Sequence, residues 1–494
     1  MRWVSAAPAV PGVYTFANWL QVRDVAHASA QCHLVFSFGK APLCKTFNMV
    51  YVVSMDSLDS APVYELFRQL LPAPYLRQIG RQFGFVRRGI YSLRLVLWLM
   101  IWQRLQHNAS LAQAVRQLQA PAPRTLLVRC KRVREGRIST ATGGYCQARQ
   151  KLPILAASTM VDRMFQQLQS LLRPGGPAGT APVFLVDGSS LRLPARGDLP
   201  QRYPPGGNQH GQNHWPVLRM VVFHDAVTGL AMPLRWGPMN GAQACSEQRL
   251  AQEGMDQLPP GAVVLGDRNF GIFWMAWAAQ QRGHPVVLRL TAARAQKLLG
   301  RPLPAGLEEA IVWRPSRFDR QAHPELSAEA AVPGRLLICS CPGAREPLLC
   351  LFTTLALPAA EVVSLYGLRW NVETDLRSLK QTLRLQPLTS NSSAMVEKEL
   401  WVALAAYNLV RAVMRLAAEK AGVPPRRLSF TAVYWAVEGF LPYLLAAKTK
   451  KTRNRYLDQM VALAAQYKLP QRRKKRCYPR EVWGSGYRFP TRKD

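Results

Sequence analysis

The sequence predicts an α/β protein: a mixed sheet flanked by helices, with a β-rich insertion, a helical block before it and a basic helical stretch after it. Three observations support that class. Apolar residues recur at helix spacing from about residue 62 to Leu172, and again after Ala359. Between these blocks the apolar runs shorten to strand length. The stretch Leu172-Arg-Pro-Gly-Gly-Pro-Ala-Gly-Thr, a linker by composition, marks the change.

Size and charge bound the function. A chain of 494 residues exceeds one ordinary core, and 48% hydrophobic residues suffice to fill several. Lys and Arg number 64 against 29 acids, a formal charge of +35. Such a surplus repels itself in the folded state and calls for a polyanionic partner. Nucleic acid leads, because each neutralised phosphate releases condensed counterions. A membrane surface is disfavoured, since no long amphipathic helix gathers the bases on one face. The apolar run Ile90–Trp102 is interrupted by Arg94 and falls short of the roughly 20 residues a bilayer span requires. No charged start followed by an apolar block marks a secretory signal. Nine scattered cysteines form no disulfide framework, and Cys339 and Cys341 lack zinc-knuckle spacing; idle thiols in a reducing cytoplasm are expected.

Taken in order, residues 1–60 read as an N-terminal extension. Residues 1–48 show no sustained period, and Met49 and Met55 are plausible later starts. Residues 61–172 read as a helical DNA-binding domain, with helices from Val63, over Ile90–Gln106 and over Ser110–Gln119. Ser110-Leu-Ala-Gln113 offers a capping box. The block Cys130–Arg149 is basic and carries a loop over Thr140–Gly144; for the helical domain as a whole, a basic but passive helical cap is the alternative to DNA contact. Residues 173–445 form the central domain. Val183–Val186 reads as a buried strand, Val217–His224 and Leu230–Arg235 as a hairpin around Asp225–Gly229, and Ala262–Leu265 as a second buried strand. A helix follows over Phe273–Arg282. Residues 284–357 return to strands at Val286–Leu290, Ala310–Trp313, Arg335–Ser340 and Leu348–Thr353. Helices resume over Ala359–Leu385 and Val396–Lys420, and residues 446–494 form a basic tail. From Lys448 to Asp494 the tail holds 15 bases against 3 acids, densest at Gln471–Arg476.

Acids are scarce, so their placement is informative. Asp187 follows the run Val183–Val186, and Asp267 follows Ala262–Leu265 in the same way. A carboxylate at the end of a buried strand is costly without a cation or hydrogen bonds. One such Asp is commonly a cap or loop residue, but two at equivalent positions point to a site. The third acid lies in Tyr366-Gly-Leu-Arg-Trp-Asn-Val-Glu-Thr-Asp-Leu-Arg-Ser-Leu-Lys380. On a straight helix Arg369, Glu373, Arg377, Lys380 and Arg384 fall within about 60° of Tyr366. Leu365, Leu368, Val372, Leu376, Leu379 and Leu383 make a separate core stripe. A bland salt-bridge ladder from Arg369 through Glu373 to Arg377 is the competing reading of the polar stripe. Three carboxylates with no Cys or His suit hard divalent cations, and two such ions serve phosphodiester hydrolysis and transfer. Arg forks and lysine charges suit phosphates.

The spacing Tyr366-x2-Arg369-x3-Glu373-x6-Lys380 resembles the signature of bacterial insertion-sequence transposases of family four. Asp187 in Val-Asp-Gly-Ser and Asp267 in Gly-Asp-Arg-Asn-Phe-Gly resemble that family's first two catalytic aspartates. The resemblance covers roughly 180–420. It implies an RNase H-like catalytic core over 173–445, with 284–357 as the β-rich insertion. It implies Asp187, Asp267 and Glu373 as catalytic residues and as ligands of two Mg²⁺ ions, with Mn²⁺ as a possible substitute. It assigns DNA contacts to Tyr366, Arg369 and Lys380, with Arg377 and Arg384 on the same stripe. In relatives with hairpin intermediates an aromatic of the insertion holds a flipped base. Trp313 is the position expected here, with Trp274 and Trp370 as competitors, although a Trp in a strand is more often core. The implied partners are double-stranded transposon ends and target DNA, bound by a homodimer in a bacterial cytoplasm at the nucleoid. Two rivals remain: a metal nuclease of the same fold without strand transfer, and an inactivated DNA-binding remnant. The complete signature and the basic regions at both ends favour the transposase.

Overall fold

The computed structural model describes residues 63–85, 90–119, 131–135, 137–172, 181–208, 211–341, 347–386 and 388–470. The N-terminal extension, the linker at 173–180, the start of the Cys130–Arg149 block and the basic cluster 471–476 lie outside the described residues.

Helices come first: α1 (Val63–Leu70), α2 (Ala73–Gln82), α3 (Leu93–Leu105), α4 (Leu111–Arg116), α5 (Gly143–Lys151) and α6 (Ile154–Leu172), single-turn pieces aside. The predicted capping box forms at α4. Ser110 accepts from the Gln113 N–H, and the Gln113 side chain accepts from the Ser110 N–H, so two otherwise orphaned donors are satisfied. Helix α3 is buried nearly all round, as its largely apolar sequence requires.

A nine-stranded mixed sheet follows. Its strands are β1 (Val183–Arg192), β2 (Pro205–Asn208), β3 (Gly211–Asp225), β4 (Arg235–Pro238), β5 (Val263–Gly266), β6 (Val286–Leu290), β7 (Leu307–Trp313), β8 (Val332–Ser340) and β9 (Leu348–Thr353). The spatial order is β2-β3-β1-β5-β6-β9-β8-β7, with β4 also on β3. Strands β1, β5 and β6 are mutually parallel; the remaining pairings are antiparallel. Between and after the strands lie α7 (Glu247–Met255), α8 (Phe273–Gln281), α9 (Ala292–Leu299), α10 (Arg317–Ala322), α11 (Ala359–Gly367), α12 (Trp370–Arg377), α13 (Ser393–Ala421), α14 (Phe430–Ala446) and α15 (Lys450–Gln466).

Three expectations change. Strand β1 does not stop at Val186: it continues to Arg192, because the long β3 pairs with it residue by residue from Phe184 to Arg192. The strand Val286–Leu290 lies in the middle of the main sheet beside β5, and β7–β9 extend that same sheet. The β-rich stretch 284–357 is thus continuous with the central sheet. Finally, the helix expected over Ala359–Leu385 is broken. It turns at Leu368–Arg369, restarts as α12, widens to a π-turn at Ser378–Thr382 and ends there.

Helix α13 is long and apolar enough to cross a membrane, yet its apolar window is wholly buried. It is the central helix of the fold, packed by α3, α6, α14 and α15. The basic C-terminal stretch therefore begins as a packed helix: Leu457, Met460 and Ala464 of α15 are buried.

Helix α13 also carries the charged ties to the N-terminal helices. Glu399 accepts from Arg104 of α3 (2.9 Å), from Arg149 of α5 (3.0 Å) and from Ser390 (2.6 Å). All three ionic side chains are largely buried. Glu399→Ala leaves two desolvated guanidiniums without their counter-ion and is expected to cost about 3–5 kcal/mol. Glu438→Ala, which breaks a partly exposed pair with His107, should cost less than about 1 kcal/mol. Thermal unfolding of the two variants checks the contrast; equal losses would show that the Glu399 cluster carries no special weight.

Candidate active site

The register of β1 on β5 brings the first two acids together. The last parallel pair is Leu185 with Leu265, so Asp187 and Asp267 each stand two residues further along adjacent chains. Neighbouring strands lie about 4.8 Å apart, so the two carboxylates must share one rim. Each is held in the same way. Asp187 Oδ1 accepts from the Gly188 N–H (2.8 Å), and Asp267 Oδ1 accepts from the Asn269 N–H (2.8 Å). Each Oδ2 faces the same guanidinium: Arg369 Nη1 lies 3.9 Å from Asp187 and 3.8 Å from Asp267.

Arg369 sits at the turn between α11 and α12, and its other terminal nitrogen, Nη2, donates to Glu373 Oε1 at 2.8 Å. The three predicted carboxylates thus converge on one arginine. The ladder from Arg369 to Glu373 exists, but the same guanidinium also faces both aspartates. Lys380 lies on the π-turn. Its Nζ donates to Ser189 Oγ (3.0 Å) and to the Ser190 carbonyl (2.8 Å), placing the ammonium on β1 just past Asp187. Burial, then Arg192, draws its pKa down.

The glycines around the acids have steric causes. A Cβ on Gly271 would lie 2.0 Å from the Arg289 carbonyl, so the Asp267 loop can press onto β6 only with glycine there. A Cβ on Gly188 would lie 2.2 Å from the Glu247 carboxyl carbon. That carboxylate belongs to the first turn of α7 and accepts from Asn269 Nδ2 at 2.5 Å. Sequence reasoning finds neither α7 nor Glu247. Ser246-Glu247-Gln-Arg carries an N-cap signal, but an acid in a first helical turn is ordinary.

Helix α12 is fixed from its opposite side. Asp375, fully buried, accepts from Arg426 Nη1 on both oxygens (2.9 and 2.8 Å) and from Arg411 of α13. Burial alone would raise its pKa, but Arg426 and Arg411 outweigh it and hold the carboxyl below its ordinary value. Arg426 also donates to the carbonyls of Asp225 and Ala226 at the end of β3. The helix that presents Glu373 is therefore tied to the sheet that presents Asp187.

The other predicted contacts fare differently. Trp313 is 4% exposed, packed edge-on against Phe273 and Phe352, so it is core and presents no face to a base. Trp274 stacks on His323. Phe318 of α10, at 76%, and Trp370 of α12, at 52%, are exposed aromatics. Tyr366 is 8% exposed and belongs to a core cluster with Leu185 and Val372; burial pushes its pKa up to about 12. Its hydroxyl is buried in the DNA-free chain, within reach of the charges of Arg369, Arg289 and Asp267. Arg377 is exposed on α12. Arg384 lies beyond the helix with φ at 49°, and it bonds the His107 carbonyl (3.2 Å) while its own carbonyl accepts from Arg104. It joins the N-terminal helices to the core rather than extending the polar stripe.

Burial first, then the charge of Asp267, pushes Asp187 up to about 6, despite the Gly188 N–H and Arg369. Burial also raises Glu247, against Arg219 and the Asn269 amide. Among the described residues no three acid, His or Cys side chains stand close enough to hold one metal ion as they are. The donor set nonetheless fits a divalent cation: oxygens only, two of them aimed inward, and one arginine facing three acids.

The model of the transposase DDE domain matches residues 178–409. Over 417 residues the chain is 27% identical to the transposase InsG of insertion sequence element IS4 from Escherichia coli (strain K12), a span of 82% of this chain and 88% of that protein.

The raised pKa of Asp187 has a sign that can be measured. A carboxyl with a folded pKa of about 6 contributes to stability at acid pH, and that contribution is lost as pH rises through 6. A cation bound at Asp187 would displace the same proton. Mn²⁺ affinity of the DNA-free chain should fall about tenfold per pH unit below 6 and level off above it. Affinity that is flat from pH 5 to 8 would show that Asp187 is not a ligand.

Proposed function

We infer that this chain, a DDE transposase of insertion-sequence family four, cuts DNA at the terminal inverted repeats of its element and joins the freed 3′-OH ends to target DNA. The observation that carries the reading is the convergence of Asp187, Asp267 and Glu373 on Arg369 inside the matched domain.

The strand arrangement supports an RNase H-like core. Strand β3 is antiparallel to both β1 and β4, while β1, β5 and β6 run parallel, with the carboxylates at one rim. Membership of the family implies a divalent metal. Asp187, Asp267 and Glu373 would hold Mg²⁺, two ions in this reading and replaceable by Mn²⁺, which when bound activate the attacking oxygen and stabilise the leaving one.

The remaining work falls to the protein. Asp187 and Asp267 keep Oδ1 on the backbone and turn Oδ2 inward, toward Arg369 and the reaction centre, so neither must reorient. Lys380 stands at the rim beside Asp187, and Arg377 is exposed one helical turn beyond Glu373. Both are placed to hold phosphates of the transferred strand. Arg369 compensates the acids while DNA is absent and moves to phosphate when a metal takes over that task. The surplus of bases supplies non-specific attraction to DNA. The reading includes two copies of the chain bridging paired transposon ends, at the bacterial nucleoid.

Asp187→Ala, Asp267→Ala and Glu373→Ala should each lower end cleavage by about a thousandfold or more while end binding survives. Near-normal Mg²⁺-dependent cutting by any one would remove that residue from the site. With pre-cut ends the wild type should yield joined product; cutting without joining would make it a nuclease. Lys380→Ala should weaken end binding about tenfold, the worth of a charge-assisted phosphate contact. Unchanged binding and cleavage would contradict the phosphate role.

A further inference from the structure

Glu247 is an acid that the three-carboxylate site does not use, although it lies against that site on two sides. Its carboxyl lies over Gly188, the residue after Asp187. Its Oε2 accepts from Asn269 Nδ2 (2.5 Å), and the Asn269 backbone N–H is the donor that fixes Asp267 Oδ1 (2.8 Å). The next residue of α7 completes the grip. Gln248 Nε2 donates to both the Asn269 side-chain oxygen (2.7 Å) and the Asn269 carbonyl (2.8 Å). Both polar atoms of the Asn269 side chain are thereby held by the first turn of α7, although Asn269 itself is exposed.

We propose that Glu247 is a positioning residue for the metal site: through Asn269 it fixes the loop that aims Asp267, while its carboxyl lies against Gly188 beside Asp187. The inference rests on the reading of Asp187 and Asp267 as metal ligands. The physical reason is geometric. The Asp267 loop leaves the sheet after Gly266, and an exposed turn alone does not hold a carboxylate to the tolerance that metal ligation demands. Ligands must be kept within about half an ångström of their working geometry by groups that do not themselves touch the metal. The Glu247–Asn269–Asp267 chain supplies that restraint from an independent element, the start of α7.

The test uses the full-length chain. Glu247→Ala should weaken Mn²⁺ binding about tenfold in the absence of DNA and slow end cleavage by a similar or larger factor. Binding to a terminal-repeat duplex should be unchanged. Glu247→Gln keeps an oxygen for Asn269 Nδ2 and should recover most of both losses. Asn269→Ala should reproduce the Glu247→Ala defect, and the double variant should be no worse than either single one. If Glu247→Ala lowers only the melting temperature and leaves Mn²⁺ affinity and cleavage intact, Glu247 is merely structural and the proposal fails. Failure to recover with Glu247→Gln would also overturn it, since charge rather than positioning would then be at work. Asp187→Ala, run beside these variants, separates the two levels. If it too leaves Mn²⁺ affinity unchanged, the metal-site reading itself is wrong; if it alone abolishes binding, only the role of Glu247 is lost.

Discussion

Three carboxylates cannot share the rim of a sheet unless something positive stands among them, and in the DNA-free chain that group is the Arg369 guanidinium. Burial first, and then the neighbouring charge of Asp267, push the Asp187 carboxyl up to about 6 in spite of that arginine. The rest of the site follows from this constraint. Each aspartate gives one oxygen to the backbone and turns the other toward the guanidinium. The arginine comes from the turn between two helices, at the N-cap of the helix that carries Glu373.

Holding mutually repelling acids close together demands a rigid frame, and the fold supplies it from behind. Asp375 lies two residues from Glu373 and faces the other way, into Arg411 and Arg426. Through Arg426 it is tied to the end of β3, the partner strand of β1. Helix α13 contributes Arg411 to this tie and Glu399 to the tie with the N-terminal helices. The buried central helix thus connects the N-terminal helices to the frame of the site. Buried ion pairs are poor sources of net stability, but they are demanding about geometry, and geometry is what this site requires.

Much of this is legible in the sequence, and the failures have physical reasons. Asp267 is legible because a short apolar run ends just before it, and β5 does stop there. Asp187 is legible as an acid that follows an apolar run, but not as a mid-strand residue. Gly-Ser-Ser reads as a loop, and only pairing with the long β3 keeps it extended. The straight helical wheel brings Arg369 and Glu373 together correctly, then fails further on. A π-turn at Ser378–Thr382 moves Lys380 onto β1, and the helix ends before Arg384. Trp313 is core, and the alternation along β7 holds the answer: Leu307, Ile311 and Trp313 share the inward face. Glu247 has no such signal, since its role depends on a long-range approach to Gly188 and Asn269 that no local pattern encodes.

The central claim is that Asp187, Asp267 and Glu373 form one metal site whose place Arg369 keeps while metal and DNA are absent. Anomalous scattering from crystals of the full chain grown with Mn²⁺ and a terminal-repeat duplex tests it most directly. Mn²⁺ should be bonded to the inward oxygens of Asp187 and Asp267 and to Glu373, with the Arg369 guanidinium turned away onto a phosphate. Mn²⁺ bound elsewhere, or Arg369 still seated among the three carboxylates in the loaded complex, would contradict it.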